Sequence, residues 1–274
     1  HPGYAVTDTF PVTIHKPVVT NIYNGDSTLP SALWQTKRWG IVTDQQIKKR
    51  VLDDSPNGKY PRNDTNILQY RPYLDLRGQT SAFLDVNTRW SLDANYDFAT
   101  LEFSINGGTD WFTLPSRRMK QGVGVNAQEF EQYGFAGNFP EYSNESIDLT
   151  DLCGSQLLMR YVVRSDGVNE FDGWKISRIQ LRTYQDTGTG VSDSVMPLRV
   201  FPNPATTSLN LIGIEGETTV TLYSSIGEQM SVFTYEAQSG IGERIPLPPL
   251  SSGVYQLRIS NGNTSFMKQV VIAR

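Results

Sequence analysis

The chain has 274 residues, a formal net charge of −4 and a sequence pI near 5.3, with 38% hydrophobic and 11% aromatic residues. It is long enough to bury the cores of two domains. Its acidic balance excludes the basic face a nucleic-acid binder needs. Its single cysteine, Cys153, excludes a disulfide framework or a cysteine-based zinc site within the chain. No apolar run approaches the ~18 residues of a membrane-spanning helix.

Abundant Tyr, Trp, Phe, Thr and Val between Gly, Asn and Asp, with no sustained 3.6-residue period, predict an all-β chain. The expected architecture is a jelly-roll β-sandwich followed by a small immunoglobulin-like β-sandwich. Phe10, Val12 and Ile14 alternate as a strand that Pro17 ends. Residues 1–20 are therefore read as the end of an upstream domain and a connector. The opening HPGYAVTDTF has neither the basic start nor the apolar core of a signal peptide, so the chain is expected to be a piece of a longer precursor.

Residues 21–184 form the expected jelly roll. Residues 21–30 are turn-rich, and Trp34 and Trp39 are expected to anchor a core edge or rim. DDSPNGKYPRND (53–64) is a loop turning at Pro56-Asn57-Gly58. Strands follow at Ser81–Trp90, with Ala82, Leu84 and Val86 on one face, and at Phe98–Ser104, with Ala99, Leu101 and Phe103 on one face and Thr100 and Glu102 outward. Asn106-Gly107-Gly108 turns the chain into Trp111–Leu114, and residues 115–146 are a long polar excursion. Leu157–Val163 and Trp174–Leu181 complete the domain.

Residues 185–196 (QDTGTGVSDSVM) are small, polar and Gly-rich, and read as a linker. Residues 197–274 form a separate module. From residue 196 onward five basic and five acidic side chains cancel, so the preceding segment carries the whole −4. Thr218–Tyr223 and Gln229–Tyr235 read as one hairpin. Val254–Ile259 and Phe266–Ile272 read as another across Asn261-Gly262, a strong turn signal.

This last module resembles the C-terminal sorting domain of proteins exported by the type IX secretion system of Bacteroidetes. The resemblance rests on Phe201-Pro202-Asn203-Pro204 with Leu209 and Leu211, on Leu222-Tyr223 with Gly227, on Leu250-Ser251-Ser252-Gly253-Val254-Tyr255, and on Lys268 before the closing Val-Val-Ile-Ala-Arg. It implies passage from the periplasm across the outer membrane to the cell surface or medium. The implied partners are the type IX translocon, an outer-membrane shuttle protein and a sortase-like peptidase that cuts in the linker. The implied motif residues are Pro202, Asn203, Pro204, Gly253, Tyr255 and Lys268. Asp193-Ser194-Val195 in the linker also fits a short O-glycosylation pattern of these bacteria.

Residues 30–184 resemble the MAM-like jelly-roll accessory domain of secreted peptidases of the immune-inhibitor-A kind and of some zinc carboxypeptidases. Trp39-Gly40, Asp54-Ser55-Pro56-x-Gly58-x-Tyr60, Tyr96-Asp97-Phe98-Ala99, Gly107-Gly108-x-x-Trp111 and Asp172-Gly173-Trp174 carry it. It implies an upstream catalytic domain. Ser177 and Arg178 stand where that family usually has acidic residues, which weakens any metal site there.

The chain holds only two histidines, His1 and His15, and no His–carboxylate spacing suited to zinc. Cys153 has no base near it in sequence and reads as a buried thiol. This chain is therefore not expected to be an enzyme. Asp53, Asp54, Asp64, Asp166, Glu170 and Asp172 lie in two loops that can meet. They read either as turn-capping loop acids or as a structural Ca²⁺ site, with Asp54, Asp166 and Asp172 as its carboxylates. Trp34, Trp39, Trp90, Trp111 and Trp174 read either as core anchors or as a sugar-stacking platform. The function expected is the non-catalytic C-terminal region of a secreted, cell-surface peptidase of zinc carboxypeptidase type. The alternative is a surface adhesin or carbohydrate-binding module with the same sorting domain.

Overall fold

A computed structural model describes residues 16–26, 28–130, 132–185, 198–238, 242–262 and 264–273. The strand expected at Phe10–Ile14, both histidines and all of the expected linker beyond Gln185 lie outside those residues. Of the described residues, 56% lie in strands. Among the described residues there is no α-helix, and the single 3-10 turn spans Thr150–Leu152. Among the described residues no helix is long and apolar enough to cross a membrane.

The larger sandwich contains β1 (Val18–Tyr23), β2 (Trp34–Thr36), β3 (Gly40–Asp44), β4 (Lys49–Asp53), β5 (Thr65–Asp75), β6 (Ser81–Ser91), β7 (Phe98–Ser104), β8 (Phe112–Thr113), β9 (Lys120–Gln121), β10 (Tyr133–Gly134), β11 (Asn138–Asp148), β12 (Gln156–Arg164) and β13 (Gly173–Tyr184). One sheet runs β11-β6-β13-β4-β3, with β1 also paired to β13. The facing sheet runs β2-β5-β12-β7-β8. From β4 to β7, and again from β11 to β13, successive strands switch sheets, which is the jelly-roll path.

The alternation in β6 shows why this segment lies between a core and solvent. Ala82, Leu84, Val86 and Trp90 are buried, while Phe83, Asp85, Asn87 and Arg89 are half-buried on the other face. The core centres on Trp174, which is fully buried. Its ring lies 5.8 Å from Trp39, 5.4 Å from Tyr161 and 5.6 Å from Phe135. Its indole N–H donates to Thr88 Oγ1 at 2.6 Å, so the polar edge of the ring is satisfied inside the core.

The strands depart from the sequence reading in several places, among them β2, β3 and β4, which no pattern announced. Val18–Tyr23 is not connector. It pairs with β13, and a bulge at Ile22 buries Ile22 and Tyr23 together, which breaks the two-residue alternation. β5 is an 11-residue strand through Arg71-Pro72-Tyr73, a stretch without a strand-like pattern. β11 runs through the supposed excursion, across Pro140-Glu141-Tyr142. In both, the register shifts where the proline stands, so the missing N–H costs no ladder hydrogen bond. Sidedness in β7 follows the sequence, but the expected outward residues Thr100 and Glu102 are buried.

The smaller sandwich contains β14 (Arg199–Phe201), β15 (Ser208–Ile212), β16 (Gly216–Tyr223), β17 (Gln229–Ala237), β18 (Glu243–Pro246), β19 (Gly253–Ser260) and β20 (Ser265–Ile272). Its sheets are β14-β15-β18 and β17-β16-β19-β20, around Leu209, Leu211, Val220, Leu222, Leu257 and Ile259. Both expected hairpins form, the second across Gly262 at φ +75°.

The two sandwiches touch. Phe201 and Ile212 belong to the larger core, with the Phe201 ring 5.8 Å from Phe112. The Gly242 N–H donates to the Ile105 carbonyl at 3.1 Å, and Arg244 pairs with Asp110 at 3.0 Å.

Candidate functional site

The two acidic loops do meet. The Asn63 N–H donates to the Asp166 carbonyl at 2.6 Å and the Tyr60 N–H to the Phe171 carbonyl at 3.3 Å. Most of their acids are matched by protein cations. Asp64 pairs with Arg38, and Glu170 with Arg62 at 3.0 Å. Lys175 Nζ lies 3.3 Å from Asp53 and 2.6 Å from Asp172, which Arg89 also approaches at 3.3 Å. Asp166 serves its own loop: its Oδ1 accepts the Val168 N–H at 2.9 Å, while its N–H donates to Asp97 Oδ1 at 2.8 Å.

Among the described residues no three His, Cys, Asp or Glu side chains stand close enough to share an ion. The described residues therefore do not gather Asp54, Asp166 and Asp172 into one carboxylate cluster. The positive charge that would draw Asp172 and Asp53 together is supplied by the nearly buried Lys175 ammonium.

Asp54 ties the end of β4 to the start of β13. It is buried, and its Oδ1 accepts the Trp174 N–H at 2.7 Å and the Ser55 hydroxyl at 3.3 Å. Its Oδ2 is buried with no hydrogen-bond partner among the described residues. Burial pushes its carboxyl up to about 7, the Trp174 N–H opposing the rise and Asp53 adding to it. A carboxyl raised by folding stabilises the fold fully below its unfolded value, near 4, and that stabilisation is lost as pH rises through about 7. Asp54→Asn keeps the acceptor for Trp174 without the charge. Its melting temperature relative to the parent is therefore expected to climb between pH 4 and pH 8, as read by calorimetry. A difference that stays flat across that range would show that Asp54 does not titrate there.

An unforeseen cluster lies across β7 and β12. Glu102 is buried and takes Arg160 and Arg164 at 2.7 Å each, with the Thr100 hydroxyl also at 2.7 Å. Burial opposes its ionisation, but the two guanidiniums hold its pKa below the ordinary range. Arg160 also lies 4.0 Å over the Trp111 ring. The strand register sets Arg160 opposite Glu102, a pairing that no local sequence signal announces.

The other candidates for chemistry are absorbed into packing. Cys153 is buried, and burial pushes its thiol up to about 11, away from the thiolate a nucleophile needs. Trp34, Trp39, Trp90 and Trp174 are buried, and Trp111 is half-buried beneath Arg160, so the indoles form no surface platform.

The sorting-motif residues mostly shape the smaller sandwich. Asn203, between Pro202 and Pro204, accepts the Val271 N–H on its Oδ1 at 2.8 Å and donates its Nδ2 to the Gln269 carbonyl at 3.3 Å. Ala205 extends this zipper: its N–H donates to Val271 at 2.8 Å, and its carbonyl accepts the Ala273 N–H at 2.9 Å. The first loop of the module is thereby tied to its last strand. The Tyr255 hydroxyl donates to the Ser251 carbonyl at 2.9 Å and closes the turn ahead of Gly253. Lys268, on edge strand β20, is exposed.

Residues 199–273 match the family described as "Secretion system C-terminal sorting domain". The chain thus ends in a type IX sorting domain, and the protein is secreted to the cell surface or the extracellular space. No curated protein matches the sequence.

Among solved structures, the chain is similar to PorZ, a surface component of the type IX secretion system of Porphyromonas gingivalis. The identity is 18% and the TM-score 0.25, over 34% of this chain and 14% of that one. It is similar to the glycoside hydrolase domain Endo-D of Streptococcus pneumoniae R6 at 11% identity and a TM-score of 0.33, over 87% of this chain and 37% of that one. It is similar to a Bacteroides uniformis β-glucuronidase at 12% identity and a TM-score of 0.29, over 93% and 32%. The chain spans well under half the length of each of these three proteins, and at such TM-scores none of them bears on its role.

Proposed function

We propose that this chain is the non-catalytic C-terminal region of a larger secreted peptidase, of zinc carboxypeptidase type. The larger sandwich is its stabilising accessory domain and the smaller one its export address. The observation that carries this reading is the use of the reactive-looking side chains as structure. Asp53, Asp64, Glu170 and Asp172 are neutralised by Lys175, Arg89, Arg38 and Arg62, and the indoles lie in the core or under Arg160. The peptidase assignment is supported by the ordered motifs of residues 30–184. Recognition by the type IX translocon and a shuttle protein, followed by cleavage by a sortase-like peptidase, belongs to the same reading. The adhesin alternative loses the aromatic platform on which it stood. A peptide- and ester-cleavage assay with added Zn²⁺ tests the proposal. Turnover is expected from the complete secreted polypeptide and none from this chain by itself. Zinc-dependent turnover by this chain, or an inert complete polypeptide, would sink it.

A further inference from the structure

The six-stranded sheet carries a polar pocket of about 460 Å³ on the face turned away from the core. Lys49, Arg50 and Arg178 line it together with Asn87, Asn144 and Ser177. A β-bulge builds it. In β13 the side chains of Trp174 and Ile176 enter the core, and so do those of Ile179 and Leu181. The pairing with β6 shifts between Ile176 and Arg178. Ser177 is therefore the extra residue, and Ser177 and Arg178 both emerge on the outer face. The Asn24-Gly25 turn closes one side; Gly25, at φ +78°, lets it come close to the Arg50 carbonyl.

The polar groups are set in position before any ligand arrives. The Ser177 hydroxyl bonds to Asn87 Oδ1, Asn87 Nδ2 donates to Asn144 Oδ1 at 2.9 Å, and Arg178 Nη2 donates to the same oxygen at 3.1 Å. Arg178 Nε is buried without a hydrogen-bond partner among the described residues. The other arginines of this face are neutralised: Arg89 holds Asp44 at 2.9 Å, and Arg182 holds Asp85. Lys49, Arg50 and Arg178 form no ion pair among the described residues, although the chain is acidic overall. Three cationic residues line one pocket without a direct ion pair, an arrangement that an entering anion would stabilise.

Guanidinium forks match planar or tetrahedral oxyanions, and fixed amide and hydroxyl groups match vicinal hydroxyls. No aromatic or aliphatic side chain lines the pocket. We infer that it binds an acidic saccharide, a carboxylated or sulfated sugar unit of an anionic polysaccharide. The oxyanion lies on Arg178 and Arg50, and the ring hydroxyls face Asn87, Asn144 and Ser177. The site gives the accessory domain a hold on an acidic glycan coat independent of any catalytic partner.

The test is calorimetric titration of the full chain with a galacturonic acid hexamer, a heparin-type sulfated hexasaccharide, a neutral glucose hexamer, polyglutamate and inorganic sulfate. At least one acidic oligosaccharide is expected to bind about tenfold or more tighter than the glucose hexamer, polyglutamate or sulfate, and the better of the two identifies the oxyanion. Arg178→Ala is expected to lose about tenfold or more of that affinity with an unchanged melting temperature. Should that variant fold poorly, the double variant Lys49→Ala/Arg50→Ala, at two exposed positions, is expected to show the same loss. Equal binding of polyglutamate, a preference for the neutral hexamer, sulfate binding with no gain from the sugar, or affinity unmoved by these substitutions would each overturn the inference.

Discussion

Gly173→Ala is expected to destabilise the larger sandwich by about 3–6 kcal/mol, enough to unfold a marginal domain. Three costs act at one position. The backbone sits at φ +78°, where a β-carbon is strained. An alanine Cβ there would stand 1.9 Å from Asp54 Oδ1 and 2.9 Å from Ser55 Oγ. Asp54 is fully buried and cannot swing into water, so relieving the clash means giving up its bond to the Trp174 N–H. Urea unfolding measures the loss. The same glycine replacement made in an Asp54→Ala background is expected to cost about 1–3 kcal/mol less, because the atom struck is gone. Equal costs in both backgrounds would show that the Asp54 contact is not the source.

Trp174→Ala is expected to cost about 3–5 kcal/mol. The side chain is fully enclosed, and Trp39, Tyr161 and Phe135 all press on it from different strands and loops, so the site cannot collapse around the void. Thr88 limits the polar part of the damage, since its hydroxyl still donates to the Lys175 carbonyl at 2.8 Å. Trp174→Phe, which refills much of the space, is expected to restore roughly half of the loss. A melting temperature within a degree or two of the parent in Trp174→Ala would contradict this account of the core.

Sequence periodicity found Ser81–Trp90, Phe98–Ser104 and Leu157–Val163, and also Trp174–Leu181 in spite of its bulge; all lie within strands of the fold, as do both hairpins of the smaller sandwich. It missed the strands whose pattern is interrupted by a bulge: Val18–Tyr23, and the two long strands carrying Pro72 and Pro140. A bulge adds a residue and flips the faces, so a period of two cannot follow through it. The same effect hid the outer pocket. Ser177 and Arg178 stood out in the sequence only as a departure from an acidic pattern. That both face outward, next to Asn87 and Asn144, depends on one irregular pairing. The loop acids were located correctly as a group, but their counter-ions come from Arg38, Arg62, Arg89 and Lys175, and only the folded register brings these within reach.

The contact between the two sandwiches limits how portable the export address is. Phe201 and Ile212 lie in the sorting module by sequence but in the larger core by packing, where Phe112 meets the Phe201 ring and the Ile105 carbonyl takes the Gly242 N–H. A module grafted onto foreign cargo leaves those partners behind and carries two oily side chains into water, where they invite self-association. Cargo that brings the Ile105–Phe112 corner along with the module travels with its own socket.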